Sequence, residues 1–136
     1  MPAIRIFDGE DTEVPEGTTH EYFCTLVDLG TPIQAAAITG VRIWLDGLDA
    51  ASVATALRSD VDPIAASLAT ITPVGDVGEF LLKLTAADAA IVPANTAAVF
   101  QRNRLTLKFT FTRVGGGTGQ LTHEVVYRVR NLHRIS

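Results

Sequence analysis

The chain contains 136 residues, of which 47% are hydrophobic and 19% are charged, and its formal net charge is −4. This length is typical of a single domain with its own core, and the apolar content excludes a chain that is disordered throughout. No apolar run approaches the ~20 residues of a membrane-spanning helix. The single cysteine, Cys24, excludes an internal disulfide and a cysteine-cluster metal site.

The first twenty residues predict a short strand followed by an acidic arm. Residues 4–7 fit a strand, whereas residues 8–17 have no periodicity and contain two glycines and Pro15. We therefore expect residues 8–17 to lack regular structure in the free protein, and we assign 1–20 to this strand and arm. The acidic residues of the arm are candidate interaction residues: Asp8, Glu10, Asp11, Glu13 and Glu16.

The middle of the chain mixes clear and ambiguous patterns. Residues 21–29 predict a strand with both faces partly covered, and residues 41–45 predict a strand whose apolar and polar positions alternate. Asp46 and Gly47 then indicate a hairpin turn. Residues 33–40 and 50–71 each fit either a strand or a short helix.

The end of the chain carries the strongest strand patterns. Residues 79–84 predict a strand, and residues 85–91 predict one helical turn with Thr85 as its N-cap and Asp88 three positions later. Residues 104–114 and 121–129 alternate around a glycine-rich loop. They predict a long antiparallel hairpin with its basic residues on the outer face.

About seven such strands, without a long amphipathic helix, predict an all-β fold. The expected architecture is an immunoglobulin-like two-sheet sandwich of antiparallel strands over residues 21–136, preceded by the N-terminal arm. The inter-sheet cysteine pair of antibody domains is absent from the sequence, so the comparison concerns architecture alone.

Charge is distributed unevenly along the chain. Residues 1–90 contain fourteen acids and four bases, whereas residues 91–136 contain one acid and seven bases. The two sets either decorate solvent faces or pair within one molecule, or they provide head-to-tail complementarity with another subunit or a neighbouring protein. In the last case charge sets orientation and partner choice. The late arginines that we take as candidate interaction residues are Arg102, Arg104, Arg128 and Arg130. Trp44, the only tryptophan, is either a core residue or a partly exposed interface anchor.

Catalytic and ligand-binding motifs are missing from the sequence. The glycine-rich run GGGTG at 115–119 lacks the following lysine and helix of a phosphate-binding loop. Cys24 lies in an apolar strand and is expected in the core, and His123 is expected to be buried on the face of Val125 and Tyr127. We therefore expect no enzymatic activity, no cofactor, no metal site and no specific nucleic-acid partner.

Three passages resemble the immunoglobulin-like domains of tailed-phage virion proteins, including the N-terminal domain of baseplate upper proteins. They are VRIWLDG at 41–47, GEFLLKLTAADAAIVP at 78–93 and LTLKFTFTRVGGGTG at 105–119. The resemblance implies a non-enzymatic decoration, neck or baseplate subunit that contacts other capsid or tail proteins. We expect a homo-oligomer located in the virion, made in the host cytoplasm without a signal peptide.

A ligand-binding sandwich is the alternative, for example a carbohydrate-binding or adhesion module of a host-recognition apparatus. Carbohydrate sites expose several aromatic side chains, whereas Phe109 and Phe111 are predicted to be in the core. The genes that flank this one, if they encode portal, capsid or tail proteins, would separate the two hypotheses.

Overall fold

The computed structural model describes residues 4–6, 12–28, 30–75, 77–113 and 115–132. In these ranges the strands are β1 (Ile4–Ile6), β2 (Glu13–Pro15), β3 (His20–Thr25), β4 (Val27–Asp28), β5 (Thr31–Pro32), β6 (Ile38–Leu48), β7 (Ala54–Val61), β8 (Ala69–Val74), β9 (Val77–Leu84), β10 (Phe100–Thr112) and β11 (Thr118–Arg130). Short 3₁₀ turns occupy Ala35–Ala37, Ala86–Ala89 and Pro93–Asn95. None of the described helical segments is long and apolar enough to cross a lipid bilayer.

The strands form two larger sheets and one small ribbon. The four-stranded sheet has the order β1-β3-β9-β8, the five-stranded sheet has the order β2-β11-β10-β6-β7, and β4 pairs with β5. The all-β class is therefore confirmed. The expectation of antiparallel strands alone is wrong, because β1 pairs parallel to β3 and β2 pairs parallel to β11. Both parallel strands are three residues long and lie at a sheet edge, where a strand from a distant part of the chain can join without a hairpin.

One hydrophobic core lies between the two larger sheets, which makes the fold a β-sandwich. Strands β3 and β9 supply Tyr22 and Phe80, and strands β10 and β11 supply Phe109 and Tyr127, all of which are fully buried. The Phe80 and Phe109 rings meet edge to face across the layers, with centroids 5.0 Å apart. This arrangement follows from the alternation along each strand, which places every second side chain in the core. Cys24 is buried in the same core, as predicted.

The predicted turn at Asp46 and Gly47 is wrong, because both residues lie inside β6. Gly47 pairs with Asn103 of β10, and a Cβ atom at Gly47 would lie 2.8 Å from Gln101 Nε2 and from Val92 Cγ1. Glycine at position 47 thus leaves room for the side chains of Gln101 and Val92, and it does not form a turn. The chain turns further on, where the Asp49 carboxylate accepts hydrogen bonds from the N–H groups of Ala51 and Val53.

The two ambiguous segments contain more strand than helix. Residues 33–40 form the 3₁₀ turn Ala35–Ala37 and then the start of β6. The segment 50–71 contains β7, a turn beginning near Pro63 and the first part of β8. The N–H groups of Leu68 and Ala69 both bond to the Pro63 carbonyl, which closes that turn.

The acidic arm is structured where it is described, so the expectation for residues 8–17 is wrong at β2. Val14 of β2 is fully buried and pairs with Val129. The N–H of Arg128 bonds to the Thr12 carbonyl and the N–H of Glu16 bonds to the Arg130 carbonyl. The sequence analysis overlooked that one buried valine and an open strand edge are enough to dock three residues. Residues 8–11 lie outside the described residues.

Replacement of Gly119 by alanine tests the packing of the β10–β11 hairpin. A Cβ atom at Gly119 would lie 2.5 Å from the ring of Phe111, which is buried opposite it. We expect Gly119→Ala to lower the free energy of unfolding by about 1–3 kcal/mol, because the buried Phe111 ring must shift within the packed core to admit the methyl group.

Gly40→Ala is the matched control in chemical denaturation, since its added methyl group meets Thr110 Cβ at 4.0 Å, an ordinary contact distance. Equal unfolding midpoints for the two variants would contradict this packing.

Candidate functional site

The outward surface of the five-stranded sheet gathers most of the basic residues. Its central strands alternate between core residues and outward residues, so one side chain in two faces solvent. We call this surface the basic sheet face and define it by the outward residues of β6, β10 and β11: Arg42, Trp44, Asp46, Arg102, Arg104, Thr106, Lys108, Glu124, Val126, Arg128 and Arg130. The predicted outer position of the late arginines is confirmed.

Two pairs of like charges stand directly opposite each other on the basic sheet face. Lys108 is the cross-strand partner of Arg42, and Arg102 is the cross-strand partner of Arg128. Like charges at such positions destabilise a sheet, whereas opposite charges stabilise it. Each pair thus brings two positive charges into neighbouring positions on one face, and Glu13 is the neighbour of Arg128 on its other side.

Carboxylates within the chain neutralise only part of this charge. Arg42 Nε lies 2.8 Å from Asp60 Oδ1, and Arg104 Nη2 lies 3.2 Å from Asp46 Oδ2. The hydrogen bond from Arg42 lowers the pKa of Asp60, and the charge of Lys108 adds to this effect. The negative charge of Asp60 therefore partly offsets the positive charges of both Arg42 and Lys108.

Arg102 and Lys108 are the least compensated bases of the face. Arg102 donates a hydrogen bond to the neutral Ser52 hydroxyl at 2.8 Å and makes no ion pair with a described carboxylate. Lys108 makes neither a hydrogen bond nor a direct ion pair within the described part of the chain. Sequence reasoning missed Lys108 and Arg42, because only the strand register shows that they face each other.

Trp44 lies on the basic sheet face and not in the core. It is partly exposed, and its cross-strand neighbour is Thr106, which in turn is opposite Glu124. Val126, one row away, has 42% of its surface exposed. Between the two basic ends the face thus presents apolar surface beside charge, a combination common at protein interfaces.

Phe100 supports the arginines at one end of the face. The guanidinium carbons of Arg128 and Arg130 lie 4.9 Å and 5.6 Å from the centroid of its ring. Contacts of this kind hold the cations over an aromatic surface and restrict their motion.

The structure places two acids of the arm against this end within the same molecule. Arg130 Nε lies 3.4 Å from Glu13 Oε1, and Glu16 Oε1 accepts the Leu132 N–H at 2.7 Å. The intramolecular pairing that the sequence left open therefore occurs at Glu13. Asp8, Glu10 and Asp11 lie outside the described residues.

A second group of polar residues is buried between the sheets and joins them. The Tyr127 hydroxyl lies 2.8 Å from His20 Nε2, and His20 Nδ1 lies 3.2 Å from the Thr18 carbonyl. Since a carbonyl only accepts, Nδ1 carries the proton and Nε2 accepts from the tyrosine. Burial lowers the pKa of His20 and raises that of Tyr127, so both are neutral near pH 7.

Asp88 anchors the predicted helical turn after β9 to the other sheet. Its carboxylate accepts two hydrogen bonds from Arg58 of β7, at 2.6 and 2.8 Å, and two from the N–H and hydroxyl of Thr85. The capping role expected for Thr85 and Asp88 is thus confirmed. The Asp88 carbonyl accepts from Asn103, whose amide also reaches the Tyr127 hydroxyl.

The amide side chains of Gln101, Asn95 and Asn131 fix the loop from residue 90 to 99. Gln101 accepts from the Val92 N–H and donates to the Ala90 carbonyl, and Asn95 bonds the Leu48 carbonyl. Asn131 donates to carbonyls of the same loop. The alternation of β10 contained this signal. When the pattern is continued towards the start of the strand, the polar residues Gln101 and Asn103 fall at inward positions.

This buried group serves structure and does not form an accessible reaction centre. Its donors and acceptors are used internally, and His20 is 1% exposed. The described residues contain no group of three or more metal-ligating side chains. His123, which was expected to be buried, is partly exposed on β11. The candidate functional surface is therefore the basic sheet face.

The chain matches no family model, and no curated protein matches it significantly.

The lowered pKa of His20 predicts a loss of stability in mild acid. The unfolded chain binds a proton at His20 near its ordinary pKa of 6.5, whereas the folded chain resists protonation. The free energy of unfolding should therefore decrease as the pH falls below about 6.5. Chemical denaturation between pH 7.5 and 5 measures this slope. We expect His20→Asn to flatten the slope and the partly exposed His123→Asn to leave the His20 contribution in place.

The like-charge pair of Arg102 and Arg128 predicts that a charge reversal stabilises the chain. Arg102→Glu places an opposite charge beside Arg128, and we expect the free energy of unfolding to rise by about 0.2–1 kcal/mol at low salt. The gain should shrink at 1 M salt, where exposed charges are screened. A lower unfolding midpoint for Arg102→Glu would show that the Ser52 hydrogen bond matters more than the repulsion.

Proposed function

We propose that this chain is a non-enzymatic structural component of a tailed-phage virion, a decoration, neck or baseplate/tail subunit that acts through protein–protein contacts. The observation that carries the proposal is the open basic sheet face, on which two like-charge pairs flank Trp44. Like charges at directly opposite positions do not by themselves favour the sheet, so the stability of the isolated domain does not account for their placement. A contact surface for a neighbouring protein explains it.

The fold supports the same proposal through the passages that resemble phage immunoglobulin-like domains. The passage at 78–93 forms β9 followed by the capped 3₁₀ turn, and the passage at 105–119 forms most of β10 and the glycine-rich hairpin loop. The passage at 41–47 departs from the resemblance, because it lies wholly inside β6. We take the immunoglobulin-like assignment of the sandwich from the two passages that agree.

The carbohydrate-binding alternative receives no comparable support. The large hydrophobic side chains that are well exposed among the described residues are all aliphatic, such as Val53 and Val74. Phe109 and Phe111 are in the core, as the sequence predicted. The well-exposed hydrophobic side chains of the described surface therefore give a sugar-binding platform of aromatic rings no support.

The composition of purified particles tests the proposed function. We expect mass spectrometry of gradient-purified virions, from the phage whose genome encodes this chain, to find the protein at a fixed ratio to the major capsid protein. The ratio should persist through repeated purification, because a structural subunit is held in a symmetric assembly. Recovery of the chain only from the soluble fraction of the lysate, with particles free of it, would refute the proposal.

A further inference from the structure

We propose that the basic sheet face binds an extended acidic segment of a neighbouring protein, laid along β10 with carboxylates near both ends of the face. This inference rests on the proposed function in one respect: it specifies the chemistry of the neighbouring protein that the proposed subunit contacts. Its evidence is the position of the charges. One like-charge pair, Arg42 with Lys108, lies at one end of the face, and the other, Arg102 with Arg128, lies at the opposite end.

The separation of the two ends sets the length of the partner segment. Lys108 and Arg102 are six residues apart on the same face of β10, which corresponds to about 20 Å along an antiparallel strand. An extended chain covers the same distance in six residues and directs every second side chain to one side. Two carboxylates six positions apart therefore reach both basic ends.

The residues in the middle of the basic sheet face determine which side chains of the partner segment fit between its two carboxylates. Next to the Lys108 row is the row of Trp44 and Thr106, and next to the Arg102 row is the row of Asp46, Arg104 and Val126. Arg104 is already paired with Asp46. The two inner rows thus offer the indole and an exposed valine, which favour apolar side chains at the two intermediate inward positions of the partner.

Charge complementarity separates this partner from nucleic acid. A DNA duplex presents phosphates at every step, whereas the basic sheet face has carboxylates of its own at Asp46 and Glu124 between its basic ends. A phosphate backbone crossing the middle of the face would meet these acids. A segment with acidic ends and an apolar centre meets bases at its ends and the tryptophan between them.

Trp44 provides a direct probe of binding, because it is the only tryptophan in the chain and lies within the face. The test titrates the full chain, at low salt, with the capped peptide EESLSLSEE and follows tryptophan fluorescence. In this peptide the second and eighth residues are glutamates on the same side as both leucines. The comparison peptides are QQSLSLSQQ, which lacks the charge, and SLSEEEESL, which has the same composition with the glutamates together.

We expect saturable binding of EESLSLSEE and a dissociation constant for each comparison peptide at least about tenfold weaker, since charge-assisted contacts are lost at one or both ends. Arg102→Glu and Lys108→Glu should each weaken binding about tenfold. The matched control Lys83→Glu reverses an exposed charge on the four-stranded sheet and should leave binding unchanged. Arg102→Glu is expected to stabilise the free chain, and its unfolding midpoint, measured beside the titration, separates weaker binding from misfolding.

Other outcomes overturn the inference. Equal binding of SLSEEEESL would refute the two-ended arrangement, and equal binding of QQSLSLSQQ would refute the role of charge. Tighter binding of a 20-base-pair duplex, lost in the Arg102 and Lys108 variants, would assign the face to nucleic acid. Self-association in sedimentation that Arg102→Glu abolishes, without peptide binding, would assign it to a second copy. Each result is independent of whether purified virions contain the chain, so the two proposals fail separately.

Discussion

The two sheets are joined by a buried network of hydrogen bonds, on which the packing of one sheet against the other depends. His20 on one sheet and Tyr127 on the other share a hydrogen bond, and Asn103 links the tyrosine to the capped turn at Asp88. An unpaired polar group at such depth costs about 1–3 kcal/mol, so the loss of one member weakens its neighbours as well. Gln101 donates to the Asn103 side chain at 2.8 Å and so connects this network to the loop from residue 90 to 99. Tyr127 and Asn103 are themselves cross-strand partners, so the network and the register behind the basic sheet face are consistent with each other.

Sequence patterns predicted the parts of the fold in which alternation is unbroken. Strands β9, β10 and β11 and the capped turn at Asp88 lie close to their expected positions, because each has a local cause in side-chain alternation or capping. The misplaced turn at Gly47 shows the limit of local signals, since the same glycine suits a turn and a crowded strand. Only the packing of Gln101 and Val92 against it distinguishes the two. The strand β2 was missed for a related reason, because its docking depends on an edge more than a hundred residues away.

The sequence predicted several of the basic residues of the candidate site, but it did not predict which of them stand opposite each other. The sequence shows that arginines gather late in the chain and that they share the outer face of a hairpin. Which bases stand opposite each other depends on the register between strands distant in sequence, such as Arg42 and Lys108. The face that results places like charges opposite each other, and nearby carboxylates offset only part of that charge. Such a conflict between local stability and sequence is most readily explained by a function that uses the surface.

The parallel pairing of β2 with β11 also determines how the protein responds to tension. The two strands lie near opposite ends of the chain and run in the same direction, so a force that separates the termini slides one strand along the other. The bonds from Arg128 N to Thr12 O and from Glu16 N to Arg130 O are then loaded together rather than one after another. Rupture under shear requires several bonds to break at once, whereas antiparallel strands pulled from adjacent ends peel apart singly. We therefore expect the short edge strand to resist a force along the chain more strongly than three residues whose hydrogen bonds break one at a time.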